Sequence, residues 1–162
     1  MEGAPDSSRG NVVTFYSYKG GTGRTMALAN TACVLTEFER AHGGAVLLVD
    51  WDLEAPGLHR FFPPRLRTLD AAPGLGLDDQ LGLIDLMIEL RDHLPAEPPA
   101  SAEAAAEAAT AALDAVRLER YIAPTEVHGV TLMRAGRDDD GSYGKRVATF
   151  DWEGLFVRAP TI

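Results

Sequence analysis

Lysine is scarce in this chain: Lys19 and Lys145 are the only two, against thirteen arginines. Cysteine occurs once, as Cys33, which excludes an internal disulfide and makes a reducing cytoplasm the expected compartment. No run of about 18 apolar residues occurs, so no transmembrane helix is expected. The opening residues are polar and rich in Gly, Ser and Pro; they lack the apolar centre of a secretory signal, and residues 1–10 read as a flexible tail. Positive charge is also short, with 15 basic against 24 acidic side chains and a formal net charge of −9. A field of that sign opposes non-specific attraction to a nucleic-acid backbone and gives no strong case for such a partner. It leaves room for a local basic site that takes a small anion.

What is present is the composition of a globular protein, 46% hydrophobic and long enough for one domain with its own core. Residues 11–17 (NVVTFYS) form a β-branched and aromatic run that reads as a buried strand. Gly20, Gly21 and Gly23 interrupt it. From Thr25 to about Glu39, Met26, Ala29, Cys33 and Phe38, with Leu28, Ala32 and Leu35, fall at helical spacing, and Gly43-Gly44 ends the pattern. Residues 45–50 (AVLLVD) read as a continuous apolar strand closing on a carboxylate, as in a parallel strand covered on both faces. Strand, loop, helix and strand in this order predict an α/β fold with a mostly parallel sheet flanked by helices.

Further along, residues 54–79 read as an ordered surface loop. A helical segment spans about 80–121. Its first part, 80–94, is amphipathic with Leu83, Met87, Leu90 and Leu94 on one side, and Pro95, Pro98 and Pro99 stop it. Residues 100–121 are alanine-rich, apolar mainly from Leu113 onward, and read as a spacer or insertion. Residues 130–135 (VTLMRA) read as a third strand, and 149–158 as the start of another helix.

The chemistry gathers in Lys19-Gly20-Gly21-Thr22-Gly23-Arg24-Thr25, set between strand and helix. Glycines open backbone conformations closed to other residues and let N–H groups converge on a phosphate. A helix beginning near Thr25 adds its positive dipole end and its unpaired N–H groups, Met26 among them. Thr25 stands where a phosphate loop places the hydroxyl that binds Mg²⁺, and Arg24 where it places a phosphate-binding lysine. A chance match to this pattern is on the order of one in ten thousand at average residue frequencies.

FYSYKGGTGRTMALANTACVL followed by VLLVDWDLEAPGL resembles the MinD/ParA group of P-loop ATPases, in the bacterial subgroup whose second motif lysine is arginine. The resemblance covers residues 11–62 well and the rest loosely. It implies a P-loop NTPase fold, ATP with Mg²⁺ as cofactors, a homodimer formed on ATP binding, and slow hydrolysis used as a switch. It further implies that Lys19 reaches across the dimer to the partner's phosphates and that Asp52, in the D-x-D segment, orients the attacking water. Asp50 is expected to hold the magnesium indirectly, through water. The bland alternative for both carboxylates is solvation or helix capping at a strand end.

Two departures qualify the likeness. Arg24 keeps the charge, yet its planar fork fixes donor angles that an ammonium leaves free, so binding is a safer expectation than turnover. No apolar strand ending in aspartate follows residues 130–135, so the second metal-site carboxylate is missing and the chain is expected to be an N-terminal portion of a longer protein. Three strands alone would leave a sheet edge uncovered.

Competing readings are weaker. A dinucleotide site would need glycine where Met26 stands and would give Lys19 and Thr25 no work. Asp138, Asp139 and Asp140 read as a solvated loop, and the four histidines show no zinc spacing. Tyr16, Tyr18 and Tyr143 are not the cluster of a bacterial tyrosine kinase, and Trp51 and Trp152 read as packing residues. A nucleotide-binding regulatory module without hydrolysis is the second functional reading, and the tyrosine kinase a distant third.

Overall fold

The computed structural model describes residues 10–65, 80–137 and 141–159. Outside the described residues lie most of the expected tail, residues 66–79 of the surface loop expected at 54–79, and the three aspartates at 138–140.

Helix α1 (Arg24–His42) begins at Gly23 and ends at Gly43, both left-handed with φ of 78°. The N–H groups of Gly43 and Gly44 converge on the Glu39 carbonyl, a terminus that glycine permits at no steric cost. Strand β1 (Val46–Val49) follows, then the short helix α2 (Leu58–Phe61), α3 (Leu83–His93) and α4 (Ala102–Ala115). After a 3₁₀ turn over Leu118–Arg120 come β2 (Ala123–Pro124), β3 (Val130–Met133), α5 (Tyr143–Thr149) and α6 (Trp152–Arg158).

The fold is mixed α/β with a three-stranded sheet in the order β1-β3-β2. β1 and β3 run parallel, pairing Val46 with Val130 and Val49 with Met133. β2 lies antiparallel on the other side of β3, pairing Ala123 with Leu132. The sheet is thus half parallel where a mostly parallel one was expected. Pro124 sits where a proline can, on an edge strand that needs no N–H on its outer side.

Alternate strand residues feed two apolar clusters on opposite faces. Leu48, Val130 and Leu132 meet Ala29 and Ala32 of α1 with Leu58 and Phe62. Val49 and Met133 meet α3, α4 and the C-terminal helices through Leu83, Ile84, Leu90, Ala109, Phe150 and Leu155. The amphipathic face expected for α3 is the one it buries: Leu83, Met87, Leu90 and Leu94 are all in the core. Its first N–H groups are taken by the chain just beyond β3, Leu83 bonding to the Arg134 carbonyl at 2.7 Å and Ile84 to that of Ala135 at 2.9 Å.

Several expectations are corrected. Residues 11–17 form no strand: they carry no ladder and no assigned secondary structure, with Val12 93% exposed. β-branched residues favour a strand only once a partner and a buried face exist, and this segment has neither here. β1 is therefore the sheet's edge, and Leu47 is 47% exposed instead of covered on both sides. On α1 Ala29 and Ala32 go inward, while Met26, Cys33, Val34 and Phe38 are exposed. The alanine-rich α4 is core and not spacer. Ala105, Ala109 and Ala112 recur at helical spacing and are buried, bringing α4 against α3, whereas Leu113 is exposed. β2 has no counterpart in the sequence reading; the helix expected at 149–158 is present as α6, and α5, just before it, was not foreseen.

Candidate functional site

The loop at residues 17–24 folds back on the N-terminus of α1, and its shape follows from its glycines. Gly21 and Gly23 have φ of 72° and 78°, values an L side chain rarely adopts. A Cβ added at Gly20, Gly21 or Gly23 would meet nothing within 4 Å, so these positions ask for glycine through conformation and not through crowding. The first intrahelical bond of α1 runs from the Ala27 N–H to the Gly23 carbonyl at 2.9 Å, and no side chain caps the helix. The N–H groups of Gly23, Arg24, Thr25 and Met26 thus precede the helix ladder and share the positive end of a 19-residue dipole. A hollow of about 400 Å³ lies over Ser17, Thr22, Gly23 and Arg24, walled on its other side by Phe15 and Tyr16.

Side chains tie the loop together. The Arg24 guanidinium donates from Nη2 to Asp52 Oδ2 at 2.6 Å, and from Nη1 to the Ser17 carbonyl at 3.3 Å and Ser17 Oγ at 3.2 Å. Thr22 Oγ1 donates to Ser17 Oγ at 2.9 Å, and Ser17 Oγ donates to the Lys19 carbonyl at 3.1 Å. Ser17 is the residue that sequence reasoning missed. It sits where the glycine loop begins, and a hydroxyl among glycines carries no pattern that marks it.

The two carboxylates of the D-x-D segment part company. Asp50 is buried with both oxygens satisfied by backbone donors: Oδ1 by the Asp52 N–H at 3.3 Å, Oδ2 by the N–H groups of Gly57 at 3.0 Å and Leu58 at 3.1 Å. It caps α2 and closes residues 50–58 into a loop, which is the structural role weighed against the metal for this position. Asp52 faces the glycine-rich loop at 17–24. Besides Arg24 it accepts the Ala55 N–H at 3.1 Å through Oδ1. Tyr143 of α5 steadies the loop at residues 50–58, its hydroxyl donating to the Leu53 carbonyl at 2.8 Å.

The structure therefore brings Arg24 and Asp52 together, 28 residues apart in sequence, and draws Ser17 and Thr22 to them. Lys19 is exposed and makes no ion pair among the described residues. Thr25 is half-buried at the first turn of α1, and Met26 is 60% exposed beside it. Trp51 is exposed at the rim of a cleft of about 420 Å³ shared with Asp52, Glu54, Trp152 and Phe156, whereas Trp152 packs edge-on to Phe150. No described helix is long and apolar enough to cross a membrane. Compared with protein-family models, with curated proteins and with solved structures, the chain finds no match.

Proposed function

We propose that the chain binds the phosphates of a nucleoside triphosphate, ATP with Mg²⁺, through residues 19–26, as part of a P-loop switch of MinD/ParA type. The observation that carries this reading is the meeting of three features at the start of α1: two glycines at positive φ, four N–H groups outside the helix ladder, and the Arg24 cation, with Gly23 and Arg24 lining one hollow. Each alone is common. Together they form a concave, positively polarised surface in a protein of net charge −9. The residues present fit a triphosphate. Gly21, Gly23 and the first turn of α1 would supply backbone donors, and Arg24 and Lys19 the charge. The Thr25 hydroxyl is a donor type suited to magnesium, which would neutralise phosphate charge. ATP-dependent homodimerisation, with Lys19 reaching the partner's phosphates, belongs to the same proposal, as does Asp52 orienting water.

A reading without turnover has its own support. Arg24 meets its partners as a rigid fork, two donors at fixed angles on Asp52 and Ser17, which favours holding an anion over following a moving phosphoryl group. Titration with a fluorescent ATP analogue in the presence of Mg²⁺ tests the proposal, and phosphate release from the same sample separates binding from hydrolysis. Saturable binding is expected, weakened at least tenfold by Gly23→Val, which forces a β-branched residue to φ near 78°. Arg24→Gln, which leaves the backbone alone, is expected to weaken it as well. Unchanged affinity in both variants would refute the site.

A further inference from the structure

Resting on that reading, we infer that Asp52 is a built-in competitor for the phosphate: it occupies Arg24 until a polyphosphate displaces it, and the exchange frees the Asp52 Oδ2 oxygen. Arg24 is the cation of the phosphate loop nearest the helix N-terminus, yet its Nη2 is already spent on a carboxylate at 2.6 Å. Nη1 is spent on the Ser17 carbonyl and hydroxyl. A carboxylate and a phosphate oxygen present the same chemistry to a guanidinium, a planar or near-planar anionic edge that accepts parallel N–H bonds. An anion seated on the first turn of α1 gains Arg24 only by taking it from Asp52.

The pair is poised for such an exchange. Its side chains are 31% and 33% exposed, so water screens it and the bond is weak enough to trade. Asp52 does not hang free when released, because Oδ1 keeps the Ala55 N–H and the Asp50 cap keeps residues 50 and 57–58 in place. What changes partner is one carboxylate oxygen, in a segment whose next residues are tied to α5 through Leu53 and Tyr143. Trp51 stands beside it at the rim of the aromatic cleft, so occupancy of the phosphate loop is felt at a surface that includes Trp152 and Phe156. The anion class that drives the exchange is a di- or triphosphate, since it must offer enough charge to outbid a carboxylate held by the chain itself.

Asp52→Asn tests this, because it keeps the size and the Ala55 bond but removes the charge that holds Arg24. Competing a fluorescent ATP analogue with ATP and with inorganic tripolyphosphate, both with Mg²⁺, the variant is expected to bind both about two- to fivefold more tightly than the unaltered protein. Glu54→Gln removes a neighbouring charge that does not touch Arg24, and is expected to give no such gain. In an Arg24→Gln background, Asp52→Asn is expected to have no effect, which identifies the gain as passing through the pair. Unchanged or weaker binding by Asp52→Asn overturns the inference. So does an equal gain from Glu54→Gln, or a gain that survives Arg24→Gln, either of which would mark a general field effect. Binding by the unaltered protein without a gain in Asp52→Asn removes the competitor alone. Binding by neither protein removes the phosphate site and its competitor together.

Discussion

Asp50 offers a direct measurement of whether the D-x-D segment is held by the fold or by a metal. Replacing it with alanine removes the acceptor of three backbone N–H groups. Leu58 is buried, so its N–H would be stranded, at a cost of about 1–3 kcal/mol. Gly57 and Asp52 are only half-buried; water can reach them, and their loss is close to that of a helix cap, about 1 kcal/mol in all. Asp50→Ala is therefore expected to destabilise the protein by about 2–4 kcal/mol, which lowers Tm by roughly 5–15 °C at this chain length. Asp50→Asn retains one acceptor oxygen and is expected to cost about 1 kcal/mol. The assay is urea unfolding followed by circular dichroism, without Mg²⁺ or nucleotide, with the slope checked for constancy. If Asp50 served a metal alone, the alanine variant would unfold there like the unaltered protein. Stability within about 0.5 kcal/mol would refute the capping role.

Gly136→Ala should destabilise by about 1–3 kcal/mol, because a Cβ there would stand 2.8 Å from Tyr143 Cε2 and closer still to Ile84, where the chain beyond β3 passes the start of α3; urea midpoints check this, and an unchanged midpoint would mean the contact relaxes freely. Burial pushes the Tyr121 hydroxyl well above the usual tyrosine range; its hydrogen bond to Glu89 and that residue's charge add to the shift, and Arg120 opposes it. The unfolded chain therefore loses this proton first as pH rises past about 10, and stability should fall there with a slope approaching 1.4 kcal/mol per pH unit, roughly, until the folded group also ionises. Tyr121→Phe should remove that slope, and its persistence in the variant would assign it elsewhere.

How far the sequence reveals this fold depends on where each element gets its stability. Helix α1 is marked at both ends by glycines whose left-handed conformation is a local demand, and α3 by a buried stripe at helical spacing. Such signals sit within one segment. The strand expected at 11–17 failed because a strand's stability lies in its neighbour, and β-branched composition states only a willingness to pair. The inward face of α4 was misjudged for a related reason. Leucine is the usual mark of a core, yet alanine permits the close approach of two helices, and it is Ala109 and Ala112 that share a buried cluster with the residues of α3. β2, two residues long and containing Pro124, exists only because β3 offers it an edge.

The candidate site divides along the same line. The glycines of the loop at 17–24 are legible because positive φ is a property of the residue itself, and the structure gives Gly21 and Gly23 that conformation. The roles of the carboxylates were not legible, since Asp50 and Asp52 lie two residues apart on a chain whose turn sends one inward and the other outward. Sequence position could not tell which would satisfy the backbone of residues 52–58 and which would reach 28 positions back to Arg24. Ser17 shows the limit most sharply. Its hydroxyl accepts from both Thr22 and Arg24 and donates to the Lys19 carbonyl, so it organises the loop from three sides. None of those partners is recognisable until the chain has turned, because the turn itself is what gathers them. Glycines can therefore mark such a loop in the sequence, but the side chains that organise it are found only from the fold.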